Sequence, residues 1–173
     1  MSAPEDALLA LAAERPWRHI SLRDVAERAG TPLAEIYART PSKTALLARL
    51  SARFDEAALA TAATPSEDVH DRLFDAVMAR IEAMGPDRQA LIAIARDAGP
   101  LALALHFPAT ARAILEAAGV DATPPRLAAM IAVWARTAQV WRDDEGALNR
   151  TMAEIDKRLK QMRGRLARIG AGF

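Results

Sequence analysis

Residues 21–47, SLRDVAERAGTPLAEIYARTPSKTALL, constrain the fold more than any other stretch of this chain. They spell two short helices on either side of a glycine, with a third helix starting at once. Ser21 stands in an N-cap position, and Asp24 follows three residues later at the spacing of a capping box. Leu22, Val25, Ala26 and Ala29 form one apolar face, and Gly30 supplies the left-handed residue that ends such a helix. Thr31 can cap the second helix with Pro32 at its first position, where a missing N–H costs nothing. Leu33, Ile36 and Tyr37 give that helix a small apolar side, and Ser42 can cap the next, longer helix. A helix–glycine turn–helix unit this compact is the layout that sets a helix into the major groove of DNA.

A chain of 173 residues suits one large domain, or one small module followed by a medium one. Apolar residues make up 51%, enough for a sizeable core, and alanine and leucine dominate them. β-Branched residues are sparse and no alternating strand pattern occurs, so an all-α fold is expected. The absence of cysteine excludes disulfides, thiolate metal sites and cysteine nucleophiles, and it fits the reducing cytoplasm. MSAPEDALLALAAE has early acids and no basic leader segment, so it does not read as a signal peptide. No apolar run approaches the roughly 20 residues that span a bilayer, and a cytoplasmic location is expected.

Helical spacing continues along the chain. The first helix is expected from about Pro4 to Glu14, with Leu8, Leu9, Leu11 and Ala12 facing inward, and Trp17 is expected to pack on the N-terminal core. A fourth helix should run from Ser42 to about Thr61 and end before Pro65, which sets the expected domains at 1–64 and 65–173. Ser66 is the expected cap of a helix carrying the stripe Val69, Leu73, Val77, Ile81 and Met84, stopped at Gly85-Pro86. A sixth helix covers about 87–98 and stops at Gly99-Pro100. LALALHFPATARAILEAAGV then reads as one helix, apolar on more than one side and kinked at Pro108, either to open a lumen or to bend around the core. Two long helices close the chain at about 124–142 and 146–169. Leu127, Met130, Ile131, Trp134, Ala138 and Trp141 keep helical spacing in the first. In the second, Leu148, Met152, Ile155, Leu159, Met162, Leu166 and Ile169 make a heptad-like seam.

Charge is unevenly placed. Residues 1–63 hold eight basic and eight acidic side chains, residues 64–156 nine and fourteen, and residues 157–173 six and none. Lys157, Arg158, Lys160, Arg163, Arg165 and Arg168 share a helix with the apolar seam. Three readings stand for them: a solvated face beside a packed seam, an interfacial anchor on anionic membrane, or added contacts to DNA phosphates. Catalysis is not expected. His19, His70 and His106 lack metal-ligand spacing, and no GxSxG, glycine-rich phosphate loop or CxxC occurs, so neither metal nor cofactor is expected. Asp143, Asp144 and Glu145 read as a solvated turn between helices. His106, beside Phe107, either faces a ligand or sits hydrogen-bonded in the core.

The run with Ala29-Gly30, Ile36-Tyr37 and Ser42-Lys43 resembles the N-terminal domain of TetR-family transcriptional regulators over roughly residues 5–50. The resemblance implies a three-helix DNA-reading domain followed by a helical domain that dimerises and binds a small ligand. It places Leu33, Glu35, Tyr37, Arg39 and Lys43 toward DNA, together with Arg23 and Thr31. Arg28 would add a backbone contact. Tyr37 and Lys43 suit phosphates, Arg39 suits a phosphate or a guanine edge, and Glu35 suits a cytosine amino group. The implied partners are double-stranded operator DNA, a second copy of the chain and a small hydrophobic effector. Phe74, His106, Phe107 and Trp134 are the candidate effector contacts. Leu127, Met130, Ile131 and Trp141 on one helix, with Met152, Ile155, Leu159 and Met162 on the next, are the candidate dimer contacts.

A second resemblance points elsewhere. In WARTAQVWRDDEGALNRTMAEIDKRLKQMR, residues 134–163, the tryptophan, Asp143-Asp144, Arg150-Thr151 and Ile155-Asp156-Lys157-Arg158-Leu159 resemble the lipid-binding ubiquinone-biosynthesis accessory family. That family has a TetR-like fold, binds isoprenoid lipid and touches membrane through a C-terminal amphipathic helix. Under this alternative the chain has no DNA target and the tail 157–173 contacts membrane. Pro32 and Glu35, where the regulators carry a small polar residue and a threonine-like residue, favour it, as do the neutral balance of residues 1–63 and the basic amphipathic tail; Thr40 is a further departure, at a position where the regulators carry an aromatic.

Overall fold

A computed structural model describes residues 2–144 and 147–173, with backbone alone at Pro100 and Leu101. Glu145, the third acid of the run at 143, and Gly146 lie outside the described residues. Two compact units form: residues 1–52 with 86–106, and residues 53–85 with 107–173. Among the described residues all regular structure is helical, as the composition predicted.

In the first unit, α1 (Pro4–Glu14), α2 (Leu22–Ala29) and α3 (Leu33–Arg39) precede α4 (Lys43–Ala60), whose residues up to Ala52 belong here. α6 (Arg88–Ala98) and the short α7 (Pro100–Ala104) complete it. α1 runs over the expected residues and buries Leu8, Leu9, Leu11 and Ala12. Leu8, Ile20, Val25, Ile36, Leu46 and Leu50 centre the core. α1 packs on both α2 and α6, and α6 also meets the 3-10 turn at Trp17–His19. Ile94 of α6 is fully buried in this core, so the N-terminal fold uses a helix that the sequence places far downstream.

The second unit holds the end of α4, α5 (Val69–Met84), α8 (Phe107–Ala117), α9 (Pro124–Asp143) and α10 (Asn149–Arg168). α10 packs along α9 and against α5, while α8 packs against α9 and α5. Leu73, Val77, Ile81 and Met84 of the expected α5 stripe are buried. So is the seam Ile155, Leu159, Met162 and Leu166.

Four local expectations need correction. Thr31 does not cap α3: its N–H donates to the Ala26 carbonyl at 3.1 Å while that of Gly30 reaches Glu27, the paired bonds of a Schellman ending. Thr31 therefore completes α2, and Pro32 stands at the N-cap of α3 without a side-chain cap. Ser66 does not cap α5. Asp68 does, accepting the His70 N–H at 2.7 Å, and Ser66 instead bonds Asp75. The expected kinked helix is two helices. The chain leaves helical geometry at Leu105 and His106 because the ring of Pro108 clashes with a helical carbonyl four residues earlier, at Ala104, where α7 ends.

The fourth correction concerns the acidic turn. Asp144 is buried, not solvated, and its Oδ2 accepts both the N–H and the hydroxyl of Thr151, at 2.9 and 2.8 Å. α10 starts from Leu148 in a left-handed conformation with no side-chain cap of its own. Asp144 supplies the acceptor that this helix start lacks.

Candidate nucleic-acid interface

The candidate interface is built by the capped turn at 21–42. The Ser21 hydroxyl accepts the Asp24 N–H at 3.2 Å, and Asp24 returns the bond by accepting the Ser21 N–H at 2.7 Å. The Ser21 hydroxyl also donates to Asp24 Oδ2 at 2.6 Å, and this bond first, then the one from the Ser21 N–H, more than the nearby Arg15, hold the Asp24 carboxyl below the ordinary aspartate range. Gly30 then turns the chain at φ 65°. α3 is anchored by one buried apolar side chain, Ile36, and by Thr40, whose hydroxyl donates to the Ile36 carbonyl at 2.9 Å. Leu33, Ala34, Glu35, Tyr37, Ala38 and Arg39 all face solvent, with Tyr37 59% exposed. A helix that commits so little of itself to the core leaves its remaining side chains available to a partner.

The charges on this surface are largely matched among themselves. Arg39 pairs with Glu35 one turn back at 3.2 Å. Arg28 grips Glu14 through both guanidinium nitrogens, at 2.8 and 2.6 Å, and is thus held to α1. Each partner favours the charged form of the other, lowering the Glu14 pKa and raising that of Arg28. Arg23 is exposed and has no ionic partner among the described residues. Thr31 is half-buried beside α3. Lys43, at the start of α4, turns inward. Its Nζ donates to the Trp17 carbonyl at 2.9 Å and lies 4.5 Å from the centre of that indole ring. Burial pulls its pKa down, partly offset by Asp24. Trp17 is half-buried at this contact, not set into the centre of the core.

A cleft of about 20 Å³ lies beside α3, framed by Glu35–Arg39 and by the buried Glu5, which pairs with Arg49 at 2.8 Å. It has room for about one water and not for a drug-sized ligand.

The candidate effector contacts are spread over the chain. Phe107 and Trp134 meet edge to face in the second unit, with ring centres 6.5 Å apart and planes at 85°. Phe74 is half-buried on α5 of the same unit, and His106 belongs to the first unit. Sequence reasoning missed what lies against Trp134. The Arg80 guanidinium sits 4.4 Å from its ring centre, pairs with Asp55 at 2.6 Å and donates to Thr110 at 3.3 Å. Burial lowers the Arg80 pKa, and Asp55 opposes that shift. Neither residue carries a motif. The only signal in the sequence is a lone arginine beside the α5 stripe.

Of the candidate dimer contacts, Met130, Trp141, Ile155, Leu159 and Met162 are buried within this chain. Leu127, Ile131 and Met152 stay partly exposed. The same burial leaves the basic side chains Lys157, Lys160, Arg163, Arg165 and Arg168 on the outer side of α10 without the apolar seam beside them. An interfacial membrane helix needs that seam in lipid, so the packing disfavours the membrane-touching alternative. No single helix among the described residues is long and apolar enough to cross a membrane.

No protein-family model matches the chain, and no curated protein matches it in sequence. Solved structures do. A TetR transcriptional regulator from Rhodococcus sp. RHA1 is similar over 92% of each chain, with a TM-score of 0.68 at 18% identity. A TetR-family transcriptional regulator from Streptomyces coelicolor is similar over 97% of this chain and 83% of its own, with a TM-score of 0.57 at 17% identity. The chain thus has the all-α, helix-turn-helix-containing fold of those regulators, and at such identities the likeness is one of fold.

Proposed function

We propose that the chain is a transcriptional regulator that reads operator DNA as a homodimer, with a small apolar effector bound in its C-terminal domain. The observation that carries this reading is α3: a seven-residue helix in which Ile36 alone is buried, after a Schellman turn, with every other residue of the helix turned to solvent. In this reading residues 1–64 form the DNA-reading domain and residues 65–173 the regulatory one. Tyr37 and Arg23 donate to phosphates, Leu33 meets a thymine methyl, and Arg39 is shared between Glu35 and the DNA. In this reading the effector is of low polarity and binds in the second unit, which holds the Phe107–Trp134 pair. Two-fold operators are read by two-fold dimers, and Leu127, Ile131 and Met152 are among the apolar side chains that α9 and α10 still present.

Selection of bound fragments from random and genomic DNA, followed by titration over a salt series, tests this. Enrichment of a palindrome, with affinity falling steeply as salt rises, is the expected result. Weak binding without sequence enrichment would remove the operator reading.

A further inference from the structure

The second unit buries a set of polar groups around one indole. Arg80 of α5 is 4% exposed, and its guanidinium lies 4.4 Å from the centre of the Trp134 ring. Its Nε donates to Asp55 at 2.6 Å, one terminal nitrogen to the Thr110 hydroxyl at 3.3 Å and the other to the Met84 thioether at 2.7 Å. Thr137 of α9 is wholly buried one turn after Trp134, on the same inward face, and its hydroxyl has no hydrogen-bond partner among the described residues. All of these residues belong to one compact unit.

Two of these features are costly in a chain that binds nothing. A buried hydroxyl without a partner forfeits the bonds that water gave it in the unfolded chain. Within a helix such a hydroxyl can turn back to the carbonyl four residues earlier, as Thr40 does to Ile36, and Thr137 does not. An arginine N–H directed at a thioether spends a strong donor on a weak acceptor. Both donors would gain from a better acceptor beside Trp134.

Charge decides which acceptor fits. Arg80 and Asp55 already neutralise each other, so a ligand anion would leave one uncompensated negative charge in the interior, and a ligand cation one positive charge. A carbonyl oxygen offers two lone pairs and no charge, and it can accept from a guanidinium and a hydroxyl together. The rings of Trp134 and the half-buried Phe107, edge to face at 6.5 Å, offer apolar surface to a flat skeleton.

We infer that the effector is an uncharged apolar molecule bearing a carbonyl group, as in a ketone, lactone or amide. Its oxygen accepts from Arg80, in place of the Met84 thioether, and from the Thr137 hydroxyl, while its skeleton packs on Trp134 and Phe107. This assignment rests on the effector-binding reading above and narrows it to one functional group. Asp55 then serves the site by balancing the charge of Arg80, which leaves the guanidinium a donor to neutral acceptors.

The test uses the full chain without DNA and three probes of similar size: acetonaphthone, which has the carbonyl, naphthoate, which has an anion, and ethylnaphthalene, which has no polar group. Equilibrium dialysis should show acetonaphthone bound about tenfold more tightly than either, the scale of one hydrogen bond to a charged donor. Thr137→Val keeps the shape and removes the hydroxyl. It should weaken acetonaphthone by roughly fivefold, leave ethylnaphthalene unchanged and raise the thermal midpoint of the ligand-free chain. Asp55→Leu with Arg80→Met, which replaces the pair by apolar side chains, should abolish the preference for the ketone over the hydrocarbon. Equal binding of ketone and hydrocarbon, tighter binding of naphthoate, or no binding of any probe overturns the assignment. A lower midpoint in Thr137→Val also overturns it, because the hydroxyl would then be satisfied in the free chain. A chain that prefers the ketone yet selects no DNA sequence overturns the operator reading and leaves the carbonyl site standing.

Discussion

Arg80 Nε donates to Asp55 Oδ1 across 2.6 Å, with the residues only 4% and 6% exposed, and the same guanidinium lies between the rings of Trp134 and Phe54 at 4.4 and 5.9 Å. Desolvating two charges is expensive, and their attraction inside the protein offsets the penalty only while both remain. Asp55→Ala should therefore destabilise the chain by about 3–5 kcal/mol, because it strands a buried cation. Asp55→Leu with Arg80→Met replaces the pair by apolar side chains of similar volume and should recover most of that loss. Equilibrium denaturation of the two variants decides it: a double variant no more stable than Asp55→Ala would mean that the pair itself is not the source of the effect.

Gly30 occupies φ 65° at the end of α2. A Cβ there meets the following carbonyl, so Gly30→Ala should lower stability by about 1–2 kcal/mol. It should also weaken DNA binding, because the same turn aims α3. Thermal unfolding by circular dichroism checks the first part. An unchanged midpoint would show that the turn relaxes without strain.

The capping box supplies a pH dependence. Hydrogen bonds from Ser21 lower the pKa of Asp24 in the folded chain, so the unfolded chain binds this proton first as acid is added. The contribution is complete above the ordinary aspartate value, about 3.9, and is lost as pH falls through the lower folded value. Asp24→Asn should flatten the loss of stability with acid below about pH 4 and leave the slope near neutrality as it was. Equal acid slopes for the two proteins would remove Asp24 from the balance.

Glu35 is the acid on the reading helix, and Arg39 one turn later partly answers it at 3.2 Å. Both groups are well exposed, so the pair contributes little to stability. Its weight falls on binding. Glu35→Gln takes a negative charge from the surface proposed to meet phosphates and releases Arg39. Affinity for non-specific duplex should rise, and the salt slope should steepen by up to about one. A Glu35→Gln protein that binds duplex no better than wild type would place Glu35 away from the phosphates.

What the sequence determined by itself is local. The capping box at Ser21, the left-handed Gly30, α1 from Pro4 to Glu14 and the apolar stripes of α5 and α10 follow from bonds and spacings within a few residues, where chain neighbours alone set the geometry. Tertiary packing decided everything that depends on residues far apart in the chain. Asp144 reads as a turn acid until Thr151, seven residues on, presents a buried N–H and hydroxyl with no nearer acceptor. The α10 seam reads as a dimer or core face before a membrane one, and no further, because periodicity states that a face is apolar and not what covers it. Here α9 and α5 cover it within the chain. Lys43 shows the same limit at the candidate interface. Its position beside the reading helix is legible in the sequence, yet its ammonium answers to Trp17, 26 residues earlier, and Trp17 in turn to Asp97, 80 residues later. A side chain's partner is set by which atoms the fold brings within reach, and that distance is not encoded in any local window of sequence.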